Sequence, residues 1–285
     1  MALPAHLLEK LPPALVSTLN AGTLKVGGPA DGTRSAPLPT GIPGIDQQLP
    51  EGGLLTGAVV EFAVAGSASL ATSIGLAVCR SAQRSSRGAQ AAEQLGGAVP
   101  WCAFLDPSRS LYAPGVAHVG VQLDRLLVVR PPLEALGRVA LRIIESHCFA
   151  VIVIDTVGMP GAELNVPLGG WPRIVRRLAL ALQGTSSTAL LITDSTARRP
   201  LTLPVAQRVE LNRSQAHKLI LQVAKDRQGR VAAPVAIDIE GSIHVHRPTH
   251  VHRPTHFDSG VESVPQGWHK LAVRQREGQV VRHVG

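Results

Sequence analysis

Apolar runs five to seven positions long recur along the middle of the chain: AVVEFAV (58–64), WCAFLD (101–106), LLVVR (126–130), FAVIVID (149–155) and TALLIT (188–193). Continuous apolarity, as opposed to alternation, predicts strands covered on both faces. Between the runs lie stretches with helical periodicity, at 70–83, EALGRVALRIIE (134–145) and PRIVRRLALALQ (172–183). In the second, Leu136, Val139, Ala140, Ile143 and Ile144 share one face, and Glu134 stands four positions before Arg138, the order that favours an ion pair on a helix. In the third, Pro172 suits a first turn and Gly184 an ending. Strands alternating with helices predict an α/β fold with a mostly parallel central sheet flanked by helices. The polar, Gly/Ala-rich segment 84–98 reads as a surface excursion.

After residue 205 the rhythm changes to strand candidates without helices between them: QRVEL (207–211), HKLILQVA (217–224) and VAAPVAIDIE (231–240), with a turn at Asp226–Gly229. This predicts an antiparallel C-terminal β extension of the sheet. Residues 3–20 read as a short amphipathic helix interrupted by Pro12 and Pro13, followed by a Gly/Pro-rich connector over 27–39. The tail opens on a tandem duplication, VHRPTH at 245–250 and again at 251–256. The expected organisation is an N-terminal arm and linker (1–39), a core (40–240) and a flexible His/Pro-containing tail (241–285).

Composition refines this picture. A 45% hydrophobic fraction over 285 residues supports a sizeable core and excludes wholesale disorder. No apolar run approaches the ~18–20 residues of a membrane span, and the N-terminus lacks a signal peptide's pattern, so a cytoplasmic, nucleoid-associated protein is expected. Cys79, Cys102 and Cys148 sit in apolar surroundings and read as buried free thiols. The formal net charge is +8, but residues 40–197 carry 11 basic and 11 acidic side chains, whereas 198–239 carry 8 basic against 3 acidic. The basic excess thus falls mainly on the late β-rich segment, where a polyanion would be met. His244, His246, His250, His252 and His256 include the H-x-H spacing that chelates zinc, yet they sit on a duplicated linker sequence, so no metal site is assigned.

The run Leu38-Pro39-Thr40-Gly41-Ile42-Pro43-Gly44-Ile45-Asp46, continued by Gly52-Gly53-Leu54 and Gly57-Ala58-Val59-Val60-Glu61, resembles the entry into the RecA-type ATPase core. Further matches follow in order at Cys102–Asp106, Val151–Val157, Arg208–Leu211 and Ala232–Pro234. Within that superfamily the chain is most similar to the ImuA-type proteins, RecA-like accessories of mutagenic translesion synthesis. The resemblance implies a RecA-like core with a nucleotide site, and the chain departs from that site in several places. A working phosphate loop reads G-x-x-x-x-G-K-[ST]. The corresponding stretch here, Val64 to Ala71, retains Gly66, Ser67 and Ser69 but puts Leu70 at the lysine and Ala71 at the magnesium hydroxyl. Ser108 stands where the resemblance implies the water-activating glutamate, and Ser195 where it implies the glutamine sensor. The magnesium-facing aspartate survives as Asp155, and Tyr112 matches a residue that stacks on adenine in RecA. Losing lysine, hydroxyl, base and sensor together predicts a degenerate ATPase with no catalytic residues and no required cofactor.

The resemblance places two DNA loops at about 158–170, which holds only Glu163 as a charge, and 196–204, which is short. Candidate DNA or polyanion contacts are Arg173, Arg176, Arg177, Arg198, Arg199, Arg208, Arg213, Lys225, Arg227 and Arg230. Candidate partner contacts are Leu7, Leu8, Leu11 and Leu15 on the N-terminal helix and Trp268 in the tail. The expected function is a non-hydrolytic adaptor in SOS-induced mutagenic translesion synthesis that binds RecA, restraining its filament, and an ImuB-type polymerase-like subunit. A single-stranded-DNA-binding recombination mediator and an atypical DNA-dependent ATPase remain the alternatives.

Overall fold

The computed structural model describes residues 36–65, 71–85, 99–159, 162–164, 166–196, 202–215 and 218–238. The second unit of the chain, Arg247–Gly285, lies wholly outside them. The apolar runs form strands β1 (Ala58–Val64), β2 (Trp101–Leu105), β3 (Leu126–Val129), β4 (Phe149–Asp155) and β7 (Thr188–Asp194). These pair in parallel, and β8 (Gln207–Gln215) adds to β1 in parallel as well. Strands β9 (Lys218–Asp226) and β10 (Val235–Asp238) then extend the sheet antiparallel, giving eight strands in the order β10-β9-β8-β1-β7-β4-β2-β3. The expected turn at Asp226–Gly229 is present: Gly229 donates to the Asp226 carbonyl at 2.9 Å with φ +74. A hairpin of β5 (Gly158–Met159) and β6 (Ala162–Glu163) occupies part of the first loop that the resemblance assigns to DNA.

Helices cover both faces, which is why the central strands are apolar at most positions on both sides. On one face α2 (Ala71–Arg84) lays Ile74, Val78 and Cys79 against Phe62, Phe104, Val153 and Ile192. Gly75 lets it approach closely, since a Cβ there would lie 3.3 Å from Val153 Cγ1. On the other face α4 (Leu136–Glu145) and α5 (Trp171–Leu182) pack Leu136, Ile144, Val175 and Leu178 against Ile152, Ile154 and Leu191. Two shorter helices, α1 (Pro43–Asp46) and α3 (Ala113–Val119), complete the set among the described residues. Cys79, Cys102 and Cys148 are free and buried. No helix among the described residues is long and apolar enough to cross a membrane.

One expected contact is absent. Glu134 lies in a 3-10 turn (Leu133–Ala135) before α4 begins, so it is not four helical positions from Arg138 and makes no ion pair with it. Arg142 pairs with Glu145 at 3.8 Å instead.

The entry segment is fastened by Asp46. Its Oδ1 accepts from the Thr40 amide and hydroxyl, both at 2.7 Å, and its Oδ2 from the Gly41 amide at 3.1 Å. The Thr-Gly…Asp signature is thus a local clasp that ties the segment before α1 to the helix's last residue. Leu38 and Leu54 exchange two antiparallel backbone bonds at 2.8 Å. Gly53 permits that approach, because a Cβ would sit 2.6 Å from the Leu38 carbonyl oxygen.

Candidate nucleotide site and charged surfaces

The sheet order brings the carboxyl ends of β1, β7, β4 and β2 side by side, the edge at which open α/β sheets place their ligands. Asp155 ends β4 and is 1% exposed. Its Oδ1 accepts from the Val157 and Gly158 amides at 2.9 and 3.0 Å, while its Oδ2 is buried and has no hydrogen-bond partner. Burial pushes this carboxyl above the ordinary Asp value, against the lowering effect of those two amides, and the charge of Asp106 pushes the same way as burial. Next to β4, Ser195 follows β7 and donates its amide to the Val64 carbonyl at 2.8 Å, placing it beside the end of β1.

Asp106, directly after β2, organises its own loop. Fully buried, it accepts from Ser108 Oγ (2.9 Å) and from the Ser110 and Leu111 amides (3.0 and 3.1 Å), with the Arg130 guanidinium 3.5 Å away. Burial raises its pKa, but these donors outweigh it and hold the carboxyl below its usual value. Ser108 is committed within this loop, also sharing a 2.7 Å contact with Ser110 Oγ. Tyr112 is 71% exposed at the start of α3. Gly66, Ser67, Ser69 and Leu70 lie outside the described residues, and Ala71 opens α2 as a buried methyl.

Among curated proteins the chain is similar to Protein RecA of Saccharopolyspora erythraea, 30% identical over 167 residues, which is 54% of this chain and 44% of that protein. Protein RecA of Nautilia profundicola is 29% identical over 172 residues (55% and 44%), and the mitochondrial DNA repair protein recA homolog of Dictyostelium discoideum 30% over 169 (57% and 34%). The fold of its core is RecA-like. The aligned stretch spans less than half the length of these relatives, and no family model matches the chain.

Measured against the metal–nucleotide site of a RecA-like ATPase, the described residues fit at one point and depart at two. The unpartnered Oδ2 of Asp155 has the chemistry of an acceptor for a cation's bound water. Ala71 offers a methyl where a ligating hydroxyl would stand, and Ser108 is a hydroxyl already bonded to Asp106, with no basicity near neutral pH. Among the described residues, the positions matched by the resemblance offer neither a metal-ligating hydroxyl nor a carboxylate base, and no chemical step is assigned to them.

The basic candidates of this RecA-like chain divide into free and committed groups. Arg173, Arg176 and Arg177 are exposed on α5 and make no ion pair among the described residues. Arg208 is committed, pairing with Glu61 at 3.3 Å and with Glu210 at 3.2 Å. Arg230 bonds Asp226 at 2.9 Å and Glu51 at 2.8 Å. Lys225 and Arg227 make no ion pair among the described residues, while Arg213 has a partner of its own. Arg198 and Arg199, the leucines Leu7, Leu8, Leu11 and Leu15, and Trp268 lie outside the described residues.

Two clusters escape the sequence pattern. Glu61, only 2% exposed, sits on β1 between β7 and β8, accepting from Thr193 Oγ1 at 2.7 Å and from Arg208. Burial raises its pKa, opposed by the Thr193 hydroxyl and the Arg208 charge. A glutamate inside an otherwise apolar strand run is the signal that demands such partners. The Asp106 loop is the second, and nothing local in LDPSRSL marks Arg130 as its distant neighbour.

Proposed function

We propose that this RecA-like chain acts without turning over ATP, as an adaptor in damage-induced mutagenic translesion synthesis that binds RecA and an ImuB-type polymerase-like subunit. One observation supports the reading: the sheet edge keeps Asp155, while Ala71 and Ser108, which the resemblance matches to the metal hydroxyl and the base, are a buried methyl and a hydroxyl bonded to Asp106. A protomer shaped like RecA but unable to complete an ATP joint docks on a filament and stops its growth, so restraint of RecA is the expected effect. Size-exclusion chromatography of the full chain with RecA, and separately with the polymerase-like protein, tests the adaptor role. Co-elution with both is expected, with one interaction lost on removing residues 1–22 and the other on removing 241–285. If neither protein co-elutes with the full chain, the adaptor reading fails.

A second reading, a single-stranded-DNA-binding recombination mediator, is favoured by Lys218, Lys225 and Arg227 along and just after β9, which make no ion pair among the described residues. Oligodeoxythymidylate binding that weakens steeply with salt and is lost on reversing Lys225 and Arg227 would support it over the first. An atypical DNA-dependent ATPase stands third, resting on the unpartnered Asp155 oxygen alone.

A further inference from the structure

Helices α4 and α5 lie side by side on the face of the sheet opposite α2. Near their N-termini they touch closely: a Cβ on Gly137 would lie 2.7 Å from Ile174 Cδ1. Toward their C-terminal halves the pair opens into a surface cleft of about 380 Å³, lined by Leu141, Glu145, His147, Arg177, Leu180 and Ala181. Leu180 is 64% exposed there, in a helix whose other leucines, Leu178 and Leu182, are fully buried. The two helices together carry five arginines against one glutamate. Arg138, Arg173, Arg176 and Arg177 are exposed and make no ion pair among the described residues; Arg142 and Glu145 pair with each other.

We propose that this cleft docks an acidic amphipathic helix of a partner protein, an apolar anchor entering beside Leu141, Leu180 and Ala181 and flanking carboxylates meeting the arginines. Charge complementarity sets the sign of the partner: Arg177 in the cleft, with Arg138, Arg173 and Arg176 exposed along the same two helices, favours a carboxylate-bearing partner and disfavours a neutral or basic one. The apolar floor and the Glu145 carboxylate at the rim argue for a protein helix over a nucleic-acid strand. A phosphate backbone would leave Leu180 uncovered and bring its charges toward Glu145. The surface lies on two helices away from the carboxyl edge of the sheet, so it is independent of what the Asp155 site does.

Helical peptides displayed as a random library and selected on the full chain test this directly. Selected peptides should share an apolar stripe at helical spacing flanked by Asp or Glu. Measured by fluorescence anisotropy, their affinity should fall at least tenfold in Leu180→Asp and in Arg177→Glu, and should weaken with added salt. Both side chains are exposed, and unchanged circular dichroism and melting would show that the variants fold. Selected peptides that lack acidic flanks, or that bind both variants as tightly as the parent chain, overturn the proposal. So does oligodeoxythymidylate binding lost in the same two variants without peptide binding, which would make the cleft a nucleic-acid surface. Self-association in sedimentation that Leu180→Asp abolishes would assign it to a second copy of this chain and likewise overturn it.

Discussion

Replacing Arg208 with alanine is expected to cost the fold about 3 kcal/mol, because it leaves the Glu61 carboxylate buried among strands without its counter-charge. Glu61 would keep only the Thr193 hydroxyl within 2.7 Å, at a position 2% exposed in the middle of the sheet. Denaturant unfolding followed by the fluorescence of Trp101 and Trp171, both 4% exposed, reads this loss. Adding Glu61→Gln to the Arg208→Ala variant should restore a good part of it, since the uncompensated charge is then gone. The effect also carries a pH sign. Burial already raises the Glu61 pKa in the folded state, and removing Arg208 removes a charge that lowers it. The folded state then binds a proton more readily than the unfolded one. The stability of the variant should therefore recover as pH falls through the raised folded pKa toward the ordinary Glu value, and decline again as pH rises through the folded pKa. A loss that does not change with pH, or one unaffected by Glu61→Gln, would contradict this picture of the network.

Asp106→Ala is expected to be comparably damaging, at about 3 kcal/mol, for a different reason. The carboxylate satisfies the Ser110 and Leu111 amides and the Ser108 hydroxyl at once, in a loop where Arg109 adopts φ +58. Without it, buried donors lose their acceptor and the turn loses what holds its strained residue. Asp106→Asn keeps one acceptor oxygen and should cost about 1 kcal/mol. The donors hold Asp106 below the ordinary Asp pKa, so its stabilisation is present above that value and lost as pH falls through the folded pKa. The parent protein should accordingly lose more stability on acidification than the asparagine variant. An alanine variant as stable as the parent would show that the loop is held by other contacts.

These two clusters mark the boundary of what the amino-acid pattern makes legible. Strands β1 and β4 coincide with their apolar runs at 58–64 and 149–155, because a strand covered on both faces is apolar at nearly every position and so stands out from its flanks. Helix α5 begins one residue before its expected start, and Pro172 in the first turn with Gly184 at φ +72 beyond the end explains why it was visible. Helix α3, APGVAHV, was not legible: two of its seven residues are Gly and Pro, and its two buried valines, Val116 and Val119, are too few to form a stripe. Glu134 misled because the period of an α-helix was extended into a 3-10 turn. At the candidate site, Asp155 and Ser108 were singled out by the resemblance, whereas what occupies them was not: the Ser108–Asp106 bond depends on how one short loop turns, and the Arg208–Glu61 pair joins strands that only the sheet order makes neighbours. The same holds for the basic residues. Charge counting grouped Arg208 and Arg230 with Lys225 and Arg227, but packing consumes the first two in ion pairs.

The proposed function rests on a sheet edge that keeps Asp155 buried with one free carboxylate oxygen while Ala71 is a buried methyl and Ser108 is bonded to Asp106. The measurement that tests this most directly is steady-state ATP hydrolysis by the purified full chain, with magnesium and with and without single-stranded DNA, beside its Asp155→Ala variant. The account predicts no turnover above background in any of these conditions, and no difference between parent and variant. Clear turnover by the parent chain that Asp155→Ala abolishes would contradict it.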